Sequence, residues 1–157
     1  MREVILKSSP EVRHYFLGST EETLQSLVSR LHDLNPRLNV AGCFSPPFSR
    51  DIASESNKWL EDIELTGADI VWVGLGTPKQ NFAVNQMALQ STRTFIAVGA
   101  AFDFLAGVVP EAPLFLQNSG FEWVYRLYRE PKRLWRRYLI SNAHFLFLAL
   151  RYRLLNR

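Results

Sequence analysis

The residues of this chain best suited to chemistry lie where apolar runs break into glycine. In Ile70-Val71-Trp72-Val73-Gly74-Leu75-Gly76-Thr77-Pro78-Lys79-Gln80 a run fit for a strand covered on both faces ends in two glycines and restarts with helix-compatible residues. Gly74 and Gly76 allow a sharp turn with no Cβ in the way of a bound group. Pro78 suits a first helical turn, and the free amides of that turn would face an anion, with Lys79 and Gln80 adding charge and amide hydrogen bonds. A dinucleotide fingerprint needs glycine at position 79, which is lysine, and a P-loop needs Gly-Lys-Ser/Thr, so neither motif is present. An ordinary tight strand-to-helix connection is the plainer alternative.

A second apolar run, residues 94–98, ends in Gly99-Ala100-Ala101-Phe102-Asp103-Phe104-Leu105-Ala106-Gly107. Two such turns on neighbouring strands would face one crevice. Asp103 stands between two phenylalanines, where an ionised carboxylate needs hydrogen-bond partners. It either caps local backbone amides or accepts from a ligand's base or ribose. The set expected to meet a substrate is Gly74, Gly76, Thr77, Pro78, Lys79, Gln80, Gly99, Phe102 and Asp103.

The elements that must position these residues follow from pattern. Ser19 with Glu22 reads as a capping box ahead of Leu24, Leu27, Val28, Leu31 and Leu34, so a helix is expected over residues 20–34, ended by Asn35-Pro36. A strand near 38–44 leads into Ser45-Pro46-Pro47. A helix begun near Asp51 buries Ile52, Trp59, Leu60 and Ile63 and closes at Thr66-Gly67. The key strand, a helix over 78–90 and the strand at 94–98 complete an alternation that implies an α/β, Rossmann-like parallel sheet with flanking helices and right-handed crossovers.

At 157 residues the chain is long enough for a domain with a sizeable core. A lone Cys43 forms no internal disulfide, and His14, His32 and His144 lack ligand spacing, so a reduced, cytoplasmic setting is expected, with no metal site and no cofactor. Residues 1–17 lack a signal-peptide profile. The longest uncharged stretch of the tail, residues 139–150, is shorter than the roughly 20 residues a spanning helix needs.

Charge divides the chain in two. Residues 1–122 hold nine Lys/Arg against 14 Asp/Glu, a net of −5, while residues 123–157 hold nine basic residues against Glu130 alone, a net of +8. The expected domains follow that division: a Rossmann-like portion over 1–122 and a helical appendage over 123–157. In the appendage Trp123, Tyr125, Tyr128, Trp135, Tyr138, Phe145 and Phe147 alternate with arginines, the composition of a helix lying on an anionic membrane. A solvated face is the plainer alternative. Nucleic acid is not an expected partner, because no recognition motif accompanies the charge.

Gly76-Thr77-Pro78-Lys79-Gln80, the run from Val98 to Gly107, Ala112-Pro113, Phe121-Glu122-Trp123-Val124-Tyr125-Arg126-Leu127, Glu130-Pro131-Lys132-Arg133-Leu134 and Arg137-Tyr138 occur in an order that closely resembles the TagA/WecG/CpsF family of bacterial glycosyltransferases. His14-Tyr15-Phe16-Leu17-Gly18 and Ser45-Pro46-Pro47-Phe48 extend the likeness upstream. One departure is Asn81, where the family usually has glutamate.

The resemblance implies transfer of an N-acetylhexosamine or related sugar from a UDP-sugar to a polyprenyl-diphosphate-linked acceptor in surface polysaccharide or cell-wall polymer synthesis, at the inner face of the cell membrane. It also implies that the arginine-rich appendage docks on the membrane and closes over the active site. Arg126, Arg133, Arg136 and Arg137 match its phosphate-binding positions, where guanidinium forks suit a leaving diphosphate. Arg126 has a packing alternative, an i, i+4 pair with Glu122. No Asp-x-Asp pair occurs to hold a cation, so a metal-independent route is expected. Family members carry a substantial segment ahead of the His14 strand that holds the proposed aspartate base, so no catalytic residue is assigned and the chain alone is not expected to be a competent transferase. A sheet short of strands would also expose an edge to self-association, which makes a homo-oligomer an expected state. The alternative is a nucleotide-sugar-binding or membrane-docking module without turnover.

Overall fold

The computed structural model describes residues 1–47, 51–110 and 122–129, together with positions 131, 135, 148, 151 and 152. Two compact units divide the chain, Met1–Pro110 and Glu111–Arg157. In the first unit the order is α1 (Arg2–Lys7), β1 (Arg13–Gly18), α2 (Glu21–Leu34), β2 (Asn39–Phe44), α3 (Ile52–Thr66), β3 (Ile70–Gly74), α4 (Lys79–Ala88), β4 (Thr94–Ala97) and α5 (Ala101–Leu105). In the second, α6 spans Glu122–Arg129. The strands form one all-parallel sheet in the order β2-β1-β3-β4, the Rossmann-like α/β architecture expected. Among the described residues no helix is long and apolar enough to cross a membrane.

The period of two along the central strands builds two cores. Tyr15 and Leu17 of β1 with Val71 and Val73 of β3 pack against Trp59, Leu60 and Ile63 of α3 and against Ala83 and Met87 of α4. The intervening Phe16 and Trp72 pack on the other face with Leu24, Leu27 and Leu31 of α2, Phe102 of α5 and Ile5 of α1. Both faces are covered, which is why these strands read as continuous apolar runs. Helix α1, for which the sequence pattern carried no expectation, is tied down at its C-terminal end. Asn35 Nδ2 donates to the Ile5 and Ser8 carbonyls at 2.9 and 3.1 Å.

The helix boundaries differ from pattern in instructive ways. The cap of α2 is Thr20, whose hydroxyl accepts from the Thr23 amide at 3.2 Å, and not Ser19. An N-cap residue needs extended backbone; Thr20 has φ −89° and ψ 160°, whereas Ser19 has φ 63°. For α3 the expected ends hold: Asp51 accepts from the Ser54 amide at 3.2 Å, and Gly67 closes the helix in the left-handed region at φ 67°. Helix α4 is shorter than the 78–90 expected. Pro78 stands just outside it as the N-cap, after a cis Thr77-Pro78 bond, and Leu89 is the C-cap.

Beneath the sheet, at the N-terminal ends of the strands, Asp69 joins three of them. Its carboxylate accepts from the Arg13 amide at 2.8 Å, its own amide donates to the Arg13 carbonyl at 2.8 Å, and its carbonyl accepts from the Thr94 amide at 3.0 Å. Close by, His14 is fully buried and stacks on Trp72, with ring centroids 6.1 Å apart. Trp72 Nε1 donates to His14 Nδ1 at 3.1 Å, and His14 Nε2 lies 2.6 Å from Ser8 Oγ. An indole N–H can only donate, so Nδ1 is the bare nitrogen and Nε2 carries the proton towards Ser8.

Protonating Nδ1 would set one N–H against another. Burial lowers the His14 pKa below its ordinary 6.5, against a smaller raising effect from Asp69. The unfolded chain therefore binds more protons than the fold between that lowered value and 6.5. Stability from this group is present above pH 6.5 and is lost as pH falls through the window. Urea midpoints measured through this range should show that loss, and His14→Gln should flatten it; an unchanged slope in the variant would assign the loss to other groups.

Candidate functional site

Strand order locates the crevice. From β1 the chain moves to β2 on one side and then crosses to β3 on the other, so the winding reverses between β1 and β3. Ligands of open α/β sheets bind outside the carboxyl ends of the strands at such a reversal. The turns that follow β1, β3 and β4 supply its walls, and β3 and β4 are neighbours paired from Ile70↔Thr94 to Val73↔Ala97.

After β3, Gly74 carries no Cβ for the sake of packing: a methyl group there would lie 2.5 Å from Phe102 Cδ2. Packing alone therefore requires glycine at this position. Gly76 differs, with φ 79° and nothing within 4 Å of an added Cβ, so it supplies the left-handed turn and stands open. Thr77 and Pro78 are exposed, and Lys79 is half-buried at the first position of α4. Gln80 is 7% exposed; its Nε2 lies 3.5 Å from Thr77 Oγ1, and its Oε1 has no hydrogen-bond partner among the described residues. A buried amide oxygen without a partner costs about 1–3 kcal/mol, which a ligand donor would offset. Gln80 also brings the two glycine turns together, since a Cβ at Gly99 would lie 3.5 Å from Gln80 Nε2.

On α5 the two adjacent residues have different environments. The Phe102 ring is fully buried, packed edge-on to Phe16 with centroids 6.0 Å apart, so it supports the turn from beneath and offers a ligand no face. Asp103 is half-buried and accepts from Ser19 Oγ at 3.4 Å. Arg126 lies on α6, and its side chain is outside the described residues, as are Arg133, Arg136 and Arg137 altogether.

Sequence reasoning gave Ser19 a helix-capping role and Ser45 a place in a loop, and assigned neither to the site. Ser19 follows β1 at the reversal, and Ser45 follows β2; Ser45 Oγ donates to the Ser19 carbonyl at 2.7 Å. The available signal was Gly18-Ser19-Thr20 at the end of a buried run, where only one of two hydroxyl residues can cap the helix.

This geometry, with its convergence of strand ends on a turn-rich crevice, is shared by many nucleotide-binding folds, and comparison with known proteins narrows it. The family model described as "Glycosyl transferase WecG/TagA/CpsF family" matches residues 1–157. The chain belongs to the WecG/TagA/CpsF glycosyl transferase family. It is 30% identical over 128 residues to an N-acetylglucosaminyldiphosphoundecaprenol N-acetyl-beta-D-mannosaminyltransferase of Bacillus spizizenii. That alignment covers 81% of this chain and 48% of the relative, so the chain spans about half the length of the protein it matches.

Proposed function

We propose that this chain forms the donor-binding part of a glycosyltransferase that moves an N-acetylhexosamine from a UDP-sugar to a polyprenyl-diphosphate-linked acceptor. The likeness to the Bacillus protein favours N-acetylmannosamine as the sugar and a lipid-diphosphate-linked N-acetylglucosamine as the acceptor. The observation that carries the reading is Gln80, which follows the turn after β3, lies against Gly99 of the turn after β4, and has an Oε1 without a hydrogen-bond partner among the described residues, beside the reversal at β1. Asp103 accepts from ribose or base, Gln80 Oε1 accepts a further ligand N–H or O–H, and the amides opening α4 with Lys79 face the diphosphate.

Departure of the diphosphate calls for positive charge that persists through the reaction. Arg126, Arg133, Arg136 and Arg137 supply it in this reading, and no metal is assigned a role. The base that deprotonates the acceptor hydroxyl is not assigned to any residue of this chain. Calorimetry tests the donor site: UDP binds the folded protein, and Asp103→Ala weakens it by about 1–3 kcal/mol, the cost of losing a buried hydrogen bond. Unchanged affinity in a folded variant would remove Asp103 from the site.

The appendage completes the proposal as a peripheral membrane anchor on the inner leaflet. Its net +8 charge binds anionic lipid with about 1 kcal/mol per basic side chain near the surface, falling off within a Debye length. Co-sedimentation with anionic vesicles should be strong at low salt and weaken as salt rises, leaving an aromatic-dependent remainder that deletion of residues 139–157 reduces. Equal sedimentation with neutral vesicles would refute the electrostatic contribution.

A further inference from the structure

Among the described residues, Gln80 carries the buried side-chain oxygen that has no hydrogen-bond partner, and that oxygen is shut off from solvent. The backbone of Gln80 is tied to the turn after β3, where its amide donates to the Gly76 carbonyl at 3.0 Å. Its carboxamide is placed as well. Nε2 donates to Thr77 Oγ1 at 3.5 Å, and a methyl group added at Gly99, in the turn after β4, would stand 3.5 Å from Nε2 and 3.7 Å from Oε1. A bare acceptor held between two strand-end turns costs the fold its hydration and returns nothing. Methionine, unbranched and of similar length, would fill the same space without that cost. A buried polar atom left unsatisfied in this way calls for a donor that arrives with a ligand.

We propose that Gln80 is a specificity-determining residue for the sugar of the donor: its Oε1 accepts from the acetamido N–H of an N-acetylhexosamine, and Thr77 positions the carboxamide. This inference rests on the donor-site reading, which sets the diphosphate at the start of α4. Gln80 is the second residue of that helix, so it meets the groups bonded next to the diphosphate. On the nucleoside side the first such group is the ribose C5′ methylene, which has no hydrogen to donate to an acceptor. On the sugar side the anomeric carbon is bonded to C2, which carries the acetamido N–H. An acceptor oxygen in that place matches the sugar side and not the nucleoside side.

Calorimetric titration of the full chain with UDP, UDP-N-acetylmannosamine and UDP-N-acetylglucosamine tests the assignment, because the two sugars are epimers at C2. Wild type should prefer one epimer. Gln80→Met should weaken that epimer by about three- to tenfold, and the other epimer and UDP by less than about twofold. Thr77→Val should lose affinity for the same epimer, Thr77→Ser should restore it, and Thr77→Val should add no further loss in a Gln80→Met background. Urea unfolding run alongside should show Gln80→Met at least as stable as wild type, since it removes an unpaired buried acceptor. A clear loss of stability would instead assign the carboxamide to the fold and overturn the proposal. Equal weakening of UDP and both epimers would place Gln80 against the nucleotide, and wild-type affinities in Gln80→Met, or no preference between epimers in wild type, would remove it from sugar recognition; each result leaves the donor site standing. A Thr77→Val loss that persists in the Gln80→Met background would show that Thr77 does not act through the carboxamide. If wild type binds neither UDP nor either UDP-sugar, the donor-site reading fails and this inference fails with it.

Discussion

Phe102→Ala is expected to destabilise the fold by about 3–5 kcal/mol, the range for truncating a buried phenylalanine. The ring is fully buried, meets Phe16 edge-on at 6.0 Å, and lies over the bare backbone of Gly74. Little can collapse into the space it leaves, because Gly74 has no side chain and Trp72 is already packed with α2. Helix α5 spans five residues and has no side-chain cap at Ala100, so packing by Phe102 and Ala106 is what anchors it. Domains of this size are stable by only about 5–15 kcal/mol, so the loss would be a large part of the total. Urea denaturation followed by tryptophan fluorescence measures it. A change below about 1 kcal/mol would show that the ring is not part of the core. Because Asp103 is the next residue, UDP affinity should fall along with stability even where the variant is still folded.

Gly18→Ala is the second large effect, and it arises from backbone. With φ at 112°, Gly18 lies in a region that L residues rarely adopt, and a methyl group there would sit 2.7 Å from the Gly74 carbonyl carbon and 2.8 Å from its oxygen. Both atoms belong to the neighbouring strand and cannot turn aside. Strain of about 1–3 kcal/mol adds to overpacking of similar size, for a total of roughly 3 kcal/mol or more. Gly76→Ala is the control: its φ is also positive, at 79°, yet nothing lies within 4 Å of the added methyl, so only the conformational cost of about 1 kcal/mol is expected. Thermal or urea unfolding of the two variants side by side gives the comparison. Equal costs would mean that β1 and β3 do not approach as closely at Gly18 as the structure places them.

Much of the architecture is written locally. The apolar spacing of α2 and α3, the Asp51 cap and the Gly67 terminator, and the unbroken apolar runs of β1 and β3 each depend on residues within a few positions of one another. They were sufficient to determine an alternating α/β chain with a parallel sheet and glycine turns at strand ends. Local pattern also marked the turn after β3 and the turn after β4 as the places to look for a ligand.

Tertiary structure alone decided the remainder. Strand order depends on which side each crossover takes, so no local signal placed the reversal between β1 and β3. Neither could composition tell that Gly74 makes room for a ring 28 positions away or that Phe102 faces inward while Asp103 faces Ser19. Ser19 and Thr20 are both competent caps by residue type; backbone φ made one the cap and left the other to reach a carboxylate 84 positions along the chain. The protonation state of His14 is likewise set by a tryptophan 58 positions distant. In each case the deciding partner is remote in sequence and adjacent in space, and hydrogen bonds and steric contacts act only over the few ångströms that folding closes.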